Sequence, residues 1–313
     1  MKFFQGPRSH SAADALFKGM AFTSAAIIFL IMVGIFIQLV HSSRLSLHEF
    51  GFGFLFSQQW NPVTEQFGAA SSIYGTLIST VIALILALPV SLAISLFLVD
   101  LAPPTVSKYV GYAIELLAAI PSIIYGMWGL FIFAPFMADH IQPFLQNYLG
   151  FIPLFNGPPM GIGMLTSGII LALMILPFTT AVMRDVLQMV PSIVTEAAYG
   201  MGSTTWEVTK KVTVPYAITG LVGGAFLGLG RAIGETMAVT FVIGNNHNIS
   251  ASLFEAGNSI ASTLANEFTE ASEPLYLSSL IELGLVLFVI TFLIQVAAHF
   301  WLKRLSKSTG SEG

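Results

Sequence analysis

The sequence predicts an all-α, polytopic transmembrane bundle of about six spanning helices, from three observations: composition, the length of the apolar runs, and the placement of basic residues. Of 313 residues, 55% are hydrophobic and 9% are charged. A water-soluble domain draws roughly a quarter of its residues from the charged types, so a lipid bilayer has to cover most of this surface. Six apolar stretches, at about residues 21–40, 73–99, 110–137, 161–183, 215–243 and 277–302, are each near or above the length that crosses hydrocarbon. The twelve Lys and Arg residues cluster at the two ends and in alternate loops, as the retention of positive charge on the cytoplasmic side requires.

The elements follow in order. Residues 1–20 read as a cytoplasmic N-terminal segment, 21–302 as the membrane domain and 303–313 as a cytoplasmic tail. The first run, Ala21 to Val40, is too long and evenly apolar for a signal-peptide core, and Leu39-Val40-His41 offers no small-residue cleavage pattern, so it is expected to remain as an anchor. Pro89, Pro121 and Pro177 fall within runs and are expected to kink helices whose freed carbonyls neighbours satisfy. Lys2, Arg8, Lys18, Lys108, Arg184, Lys210, Lys211, Lys303, Arg304 and Lys307 share one side of a six-helix weave, whereas the opposite loops hold Arg44 alone and most of the loop acids. Both termini are therefore expected in the cytoplasm.

Several chemistries find no support. Cysteine is absent, which removes disulfides, thiolate metal ligands and a thiol nucleophile. The six histidines show no metal-ligand spacing, so no metal site is expected. No Gly-Lys dipeptide occurs, so the chain lacks a P-loop and is not expected to hydrolyse nucleotide. The net charge of −4 names no partner, and no nucleic-acid partner is expected.

Arg231 lies inside the fifth run, about 24 Å along a helix counted from Pro215. A guanidinium at that depth costs at least a few kcal/mol and is too deep to snorkel. Glu235, four positions on, is placed to pair with it on one helix face. Two readings follow: a structural ion pair, or Arg231 facing an aqueous cavity and offering forked donors to an oxyanion while Glu235 orients it and competes for it. Intramembrane ionisable groups usually mark a substrate or ion path, which favours the second. Gly220, Gly223, Gly224, Gly228, Gly230 and Gly234 crowd the same run, which fits close packing within the subunit or a helix lining a shared path. Glu115 and Glu282 fall near the starts of the third and sixth runs, where a structural role near the interface is expected.

The longest cytoplasmic loop, 184–214, carries Glu196-Ala197-Ala198, then Gly202, then Val212-Thr213-Val214-Pro215. This resembles the EAA loop of ABC importer permeases, matching its glutamate, alanine, glycine and proline positions and departing conservatively at Val212 and Val214. Glu115–Phe131, Ala181–Val186, Thr204–Val208 and Gly228–Phe241 further resemble phosphate-specific permeases of the PstC type, over most of the chain. The resemblance implies a permease subunit that, with a PstA-type second permease, forms a pathway for inorganic phosphate in the bacterial inner membrane. It also implies a dimeric cytoplasmic ATPase that carries ATP and magnesium, with no cofactor in this chain, and an extracytoplasmic phosphate-binding protein. Arg231 and Glu235 fall on the motif the family associates with translocation, and Glu196, Ala197, Ala198, Gly202 and Pro215 on the loop that couples to the ATPase. Alternatives are a permease for sulfate or molybdate, an ATP-independent channel or carrier, and a scaffold that reports phosphate status. The last outer loop, Asn245 to Tyr276, carries Ala256, Ile260, Leu264 and Phe268 at helical spacing. It is expected to form a helix resting on the bundle, or one that closes the outer mouth or meets the binding protein.

Overall fold

The computed structural model describes residues 10–308; Lys2, Arg8 and the last five residues of the tail lie outside the described residues. In chain order the helices are α1 His10–Ser42, α2 Arg44–Phe50, α3 Ala70–Leu96, α4 Pro104–Ala118, α5 Ser122–Leu149 and α6 Met164–Gln188. They continue with α7 Ser192–Gly200, α8 Thr205–Ile233, α9 Met237–Thr240, α10 Ile260–Glu267 and α11 Pro274–Ser308. Six of these, α1, α3, α5, α6, α8 and α11, are long and apolar enough to cross a membrane.

The bundle is organised around α6. Two thirds of its apolar window, 67%, is buried, against 0% for α1 and 28% for α3 and α8. α3 packs along it, and the buried side of α3 is made of small and hydroxylic residues: Ser72, Thr76, Ser79, Ala83, Ala87, Ser91 and Ser95 are all buried. Small side chains let two helix axes approach in lipid, where packing rather than water exclusion drives association. The hydroxyls are satisfied locally or across the contact. Thr76 and Ser79 donate to the carbonyls of Ser72 and Gly75 at 2.7 Å, while Ser95 donates to the Thr180 carbonyl at 2.9 Å. Ser91 and Thr179 share a hydroxyl contact of 2.5 Å. Such bonds remove the penalty of a bare polar group in hydrocarbon.

α8 lies along α6, and the glycine stripe is the reason. A Cβ at Gly220 would sit 2.5 Å from Val186, at Gly224 3.1 Å from Val182, and at Gly228 2.5 Å from Thr179. Gly220, Gly224 and Gly228 therefore serve contact within this subunit, whereas Gly223 faces open space.

Two runs differ from the sequence expectation. The third run is two helices: α4 ends at Ala118, and Pro121 begins α5 from outside it, at φ −57 and ψ 137. Pro121 thus starts a span rather than kinking one, because its fixed φ suits a helix entry and its missing N–H is needed there least. The fifth run ends at Ile233; Gly234, Glu235 and Thr236 are non-helical before the one-turn α9. Glu282 also differs from its reading as an interfacial acid: it is 3% exposed within α11, one carboxylate oxygen lacking a partner among the described residues.

The end of the bundle near Met164 is closed by a polar knot. Glu267 at the end of α10 accepts hydrogen bonds from Trp60 Nε1 and, at 2.8 Å, from the Tyr276 hydroxyl. His247 Nε2 lies 3.1 Å from its other oxygen, and the His247 ring stacks on Trp60 with centroids 5.4 Å apart. Burial alone would raise the Glu267 carboxyl, but the hydrogen bonds from His247, Tyr276 and Trp60 outweigh it and hold it below the usual carboxylate range. α10 itself rests on the bundle, with Ile260 and Ala261 buried and Phe268 exposed; Ala256 is outside it.

Candidate functional site

Arg231 stands two residues before the end of α8, where it meets the middle of α6. Its Nε donates to the Met174 sulfur at 3.4 Å, and its guanidinium carbon lies 5.5 Å from the centre of the Phe178 ring. Met174 is ten residues into α6, about 15 Å from that helix's start, which places the cation near half depth. A thioether and an aromatic face are weak partners for a guanidinium. The side chain is exposed on the surface of the subunit, and most of its five donors remain available.

Glu235 does not pair with it. Among the described residues no carboxylate lies within ion-pair distance of Arg231. The cause is the helix end: after Gly234 the chain leaves the helical path, so four residues no longer amount to one turn on one face. Glu235 instead accepts the Ala238 amide at 3.1 Å, capping α9. It remains four residues from the cation but is turned to the broken backbone.

The break matters because non-helical backbone at membrane depth is tolerated only against protein or a water-filled cavity. Gly234 is exposed on this subunit, and Gly234 and Thr236 line a cavity of about 720 Å³ bounded by α1, α10 and α11. The break therefore opens onto a cavity between helices of this subunit.

The second feature is the segment between α6 and α8. α7 has no buried residue and holds Glu196, Ala197 and Ala198 in the open. Ile193 is 73% and Met201 87% exposed. Gly202 turns the chain at φ +85, a conformation that suits glycine. A capping box between Thr204 and Glu207 then starts α8. Pro215 sits in α8 just after a π turn at Thr209–Thr213, which accommodates its missing donor. The base is fixed to the bundle by Thr209, whose hydroxyl donates to Asp100 at 2.9 Å. Sequence reading missed that tether and the knot around Glu267, whose partners lie as much as 207 positions apart.

Together, a membrane-spanning helical bundle with an exposed helix, α7, at one end and an exposed cation near a broken span describes the permease subunit of a membrane transporter. Residues 67–309 match the family of binding-protein-dependent transport system inner membrane components, and the chain belongs to that family. It is 51% identical to the phosphate transport system permease protein PstC of Mesorhizobium japonicum, covering 97% of this chain and 94% of that one. It is 52% identical to the PstC protein of Pasteurella multocida, covering 96% and 95%. Among solved structures, a bacterial alginate ABC transporter in complex with an alginate-bound periplasmic protein superposes with a TM-score of 0.62 at 15% identity, covering 95% of this chain and 96% of that one. The MetNI methionine ABC transporter in an inward-facing conformation gives 0.58 at 18% identity, covering 79% and 99%. These likenesses establish the ABC importer permease fold.

Proposed function

We propose that this chain is one permease subunit of an ATP-driven phosphate importer and that Arg231 contacts the anion in transit. The exposed, unpaired guanidinium at half depth beside the Gly234–Thr236 break carries the reading. A cation kept there at a cost needs a compensating partner. A tetrahedral oxyanion between this subunit and a second permease supplies it, through paired N–H···O bonds. The PstC relatives support phosphate as that anion. Weak partners on Arg231 suit transport, because a path must release what it binds. Glu235 acts by holding the break open through α9 and by opposing prolonged anion residence.

In this reading α7, with Glu196, Ala197, Ala198 and Gly202, seats in a dimeric cytoplasmic ATPase that holds ATP and magnesium. Its movement passes through Thr209 and Pro215 into α3 and α8, alternating access to the path. An extracytoplasmic binding protein delivers phosphate at the opposite face. The protein then lies in the bacterial inner membrane with both termini cytoplasmic, the membrane domain being 21–302.

The test is uptake of labelled phosphate into vesicles bearing the assembled complex. Phosphate uptake that requires the ATPase and resists excess sulfate or molybdate supports the reading. Uptake without the ATPase, or equal competition by the other oxyanions, contradicts it.

A further inference from the structure

α6 carries contacts to two cations. Beyond Met174 and Phe178, which hold Arg231, lies Arg184, six residues and about 9 Å nearer the α7 end than Phe178. It is only about 6 Å from the last residue of α6, on the side where α7 emerges. Its side chain is 18% exposed, and its Nε is buried without a hydrogen-bond partner among the described residues. Glu115 on α4 comes no closer than 3.9 Å and is itself 60% exposed, too far for a hydrogen bond and too wet for a strong pair. The guanidinium lies against the backbone of α4 because residue 111 is glycine: a Cβ there would be 2.1 Å from Nη1. A structural arginine in such a slot normally has its fork filled by carbonyls or a carboxylate. This one is held in place and left underbonded.

Leu173, Leu176 and Pro177 lie toward the Arg184 side of α6 and line a cavity of about 400 Å³ between α4, α5 and α6. Tyr125 lines the same cavity, its hydroxyl donating to the Leu117 carbonyl at 3.2 Å.

We infer that Arg184 is a second oxyanion-binding station, at the α7 end of the path, which receives phosphate released from Arg231 while Glu115 competes for the guanidinium and hastens release. The inference rests on the phosphate reading above. The station takes a free tetrahedral oxyanion through its Nη donors, the Nε being buried.

This chain contains no cysteine, which makes R184C a clean probe. In proteoliposomes bearing the full complex with the α7 side facing inward and ATP loaded inside, R184C is expected to lower ATP-driven phosphate uptake about tenfold, the weight of one charge-assisted contact. A cationic thiol reagent should restore uptake several-fold, a neutral reagent of the same size should not, and inorganic phosphate should slow the labelling. Uptake within twofold of the parent, equal rescue by the neutral reagent, or labelling indifferent to phosphate would each overturn the inference. Should R184C fail to assemble, Glu115→Gln decides. It is expected to strengthen inhibition of uptake by phosphate added on the α7 side by about threefold, as removal of a weak exposed competitor allows; unchanged inhibition overturns the inference. The parent complex and Arg231→Gln run in parallel. A parent that carries no phosphate removes the underlying reading, whereas a phosphate-carrying parent with an unaffected R184C removes the second station alone.

Discussion

The two ends of this bundle are built to opposite rules. At the α10 end, Trp60, His247, Glu267 and Tyr276 bind one another, and the loop before α10 is sewn to α3: Asn258 Nδ2 donates to Ser72 at 2.9 Å and the Ile260 amide to Thr76 at 2.9 Å. At the α7 end, a helix without one buried residue projects from a base tied to the bundle by the Thr209–Asp100 hydrogen bond. A chain that ties its own side chains together at one end and leaves apolar side chains bare at the other has assigned the second end to a partner.

The contrast can be broken most severely at the closed end. A Cβ at Gly75 would lie 1.8 Å from the Asn258 carbonyl oxygen, so Gly75→Ala is expected to cost about 3 kcal/mol or more, read as a large fall in the thermal midpoint of the purified subunit. At the open end the effect should fall on association instead. The pair Ile193→Asp and Met201→Asp is expected to weaken co-purification of the ATPase by about 2 kcal/mol or more while this subunit's own thermal midpoint stays unchanged.

Glu267 offers a pH test. Its carboxyl is held below the usual range in the folded state, so the ionised form contributes stability above the unfolded value, and that contribution is lost as pH falls through the folded value. Wild type should therefore lose thermal stability as pH drops below the ordinary carboxylate range. Glu267→Gln should start lower by about 1.5–3 kcal/mol, from its lost charged hydrogen bonds, and show less of that acid slope. The smallest effect is Gly202→Ala, where a side chain meets nothing within 4 Å but has to adopt φ +85; a cost of about 1–2 kcal/mol, confined to the α7 segment, is expected by hydrogen exchange.

The six spans were legible because long apolar runs have no other use in a chain this poor in charge. Their edges were less so. The run 110–137 is continuous in hydropathy across Ala119–Pro121, so a window over it merges the end of α4 with the start of α5. The glycine stripe was visible, but its partner face, Val186, Val182 and Thr179, lies on a different helix and left two readings open. Arg231 was conspicuous as a cation inside the fifth run, and it is exposed on the surface of this subunit. The pairing with Glu235 failed because helical spacing was carried through Gly234, where the helix stops. The polar knot was invisible for a different reason: its members come from two distant parts of the chain, and each reads as an ordinary loop residue until the fold assembles them.

The central claim is that the Arg231 fork holds phosphate in transit. Arg231→Gln keeps the side chain's length and polarity but removes its charge. Uptake of labelled phosphate by the assembled, ATP-hydrolysing complex is predicted to fall to background while the subunits still co-purify. Uptake at the parent rate contradicts the account.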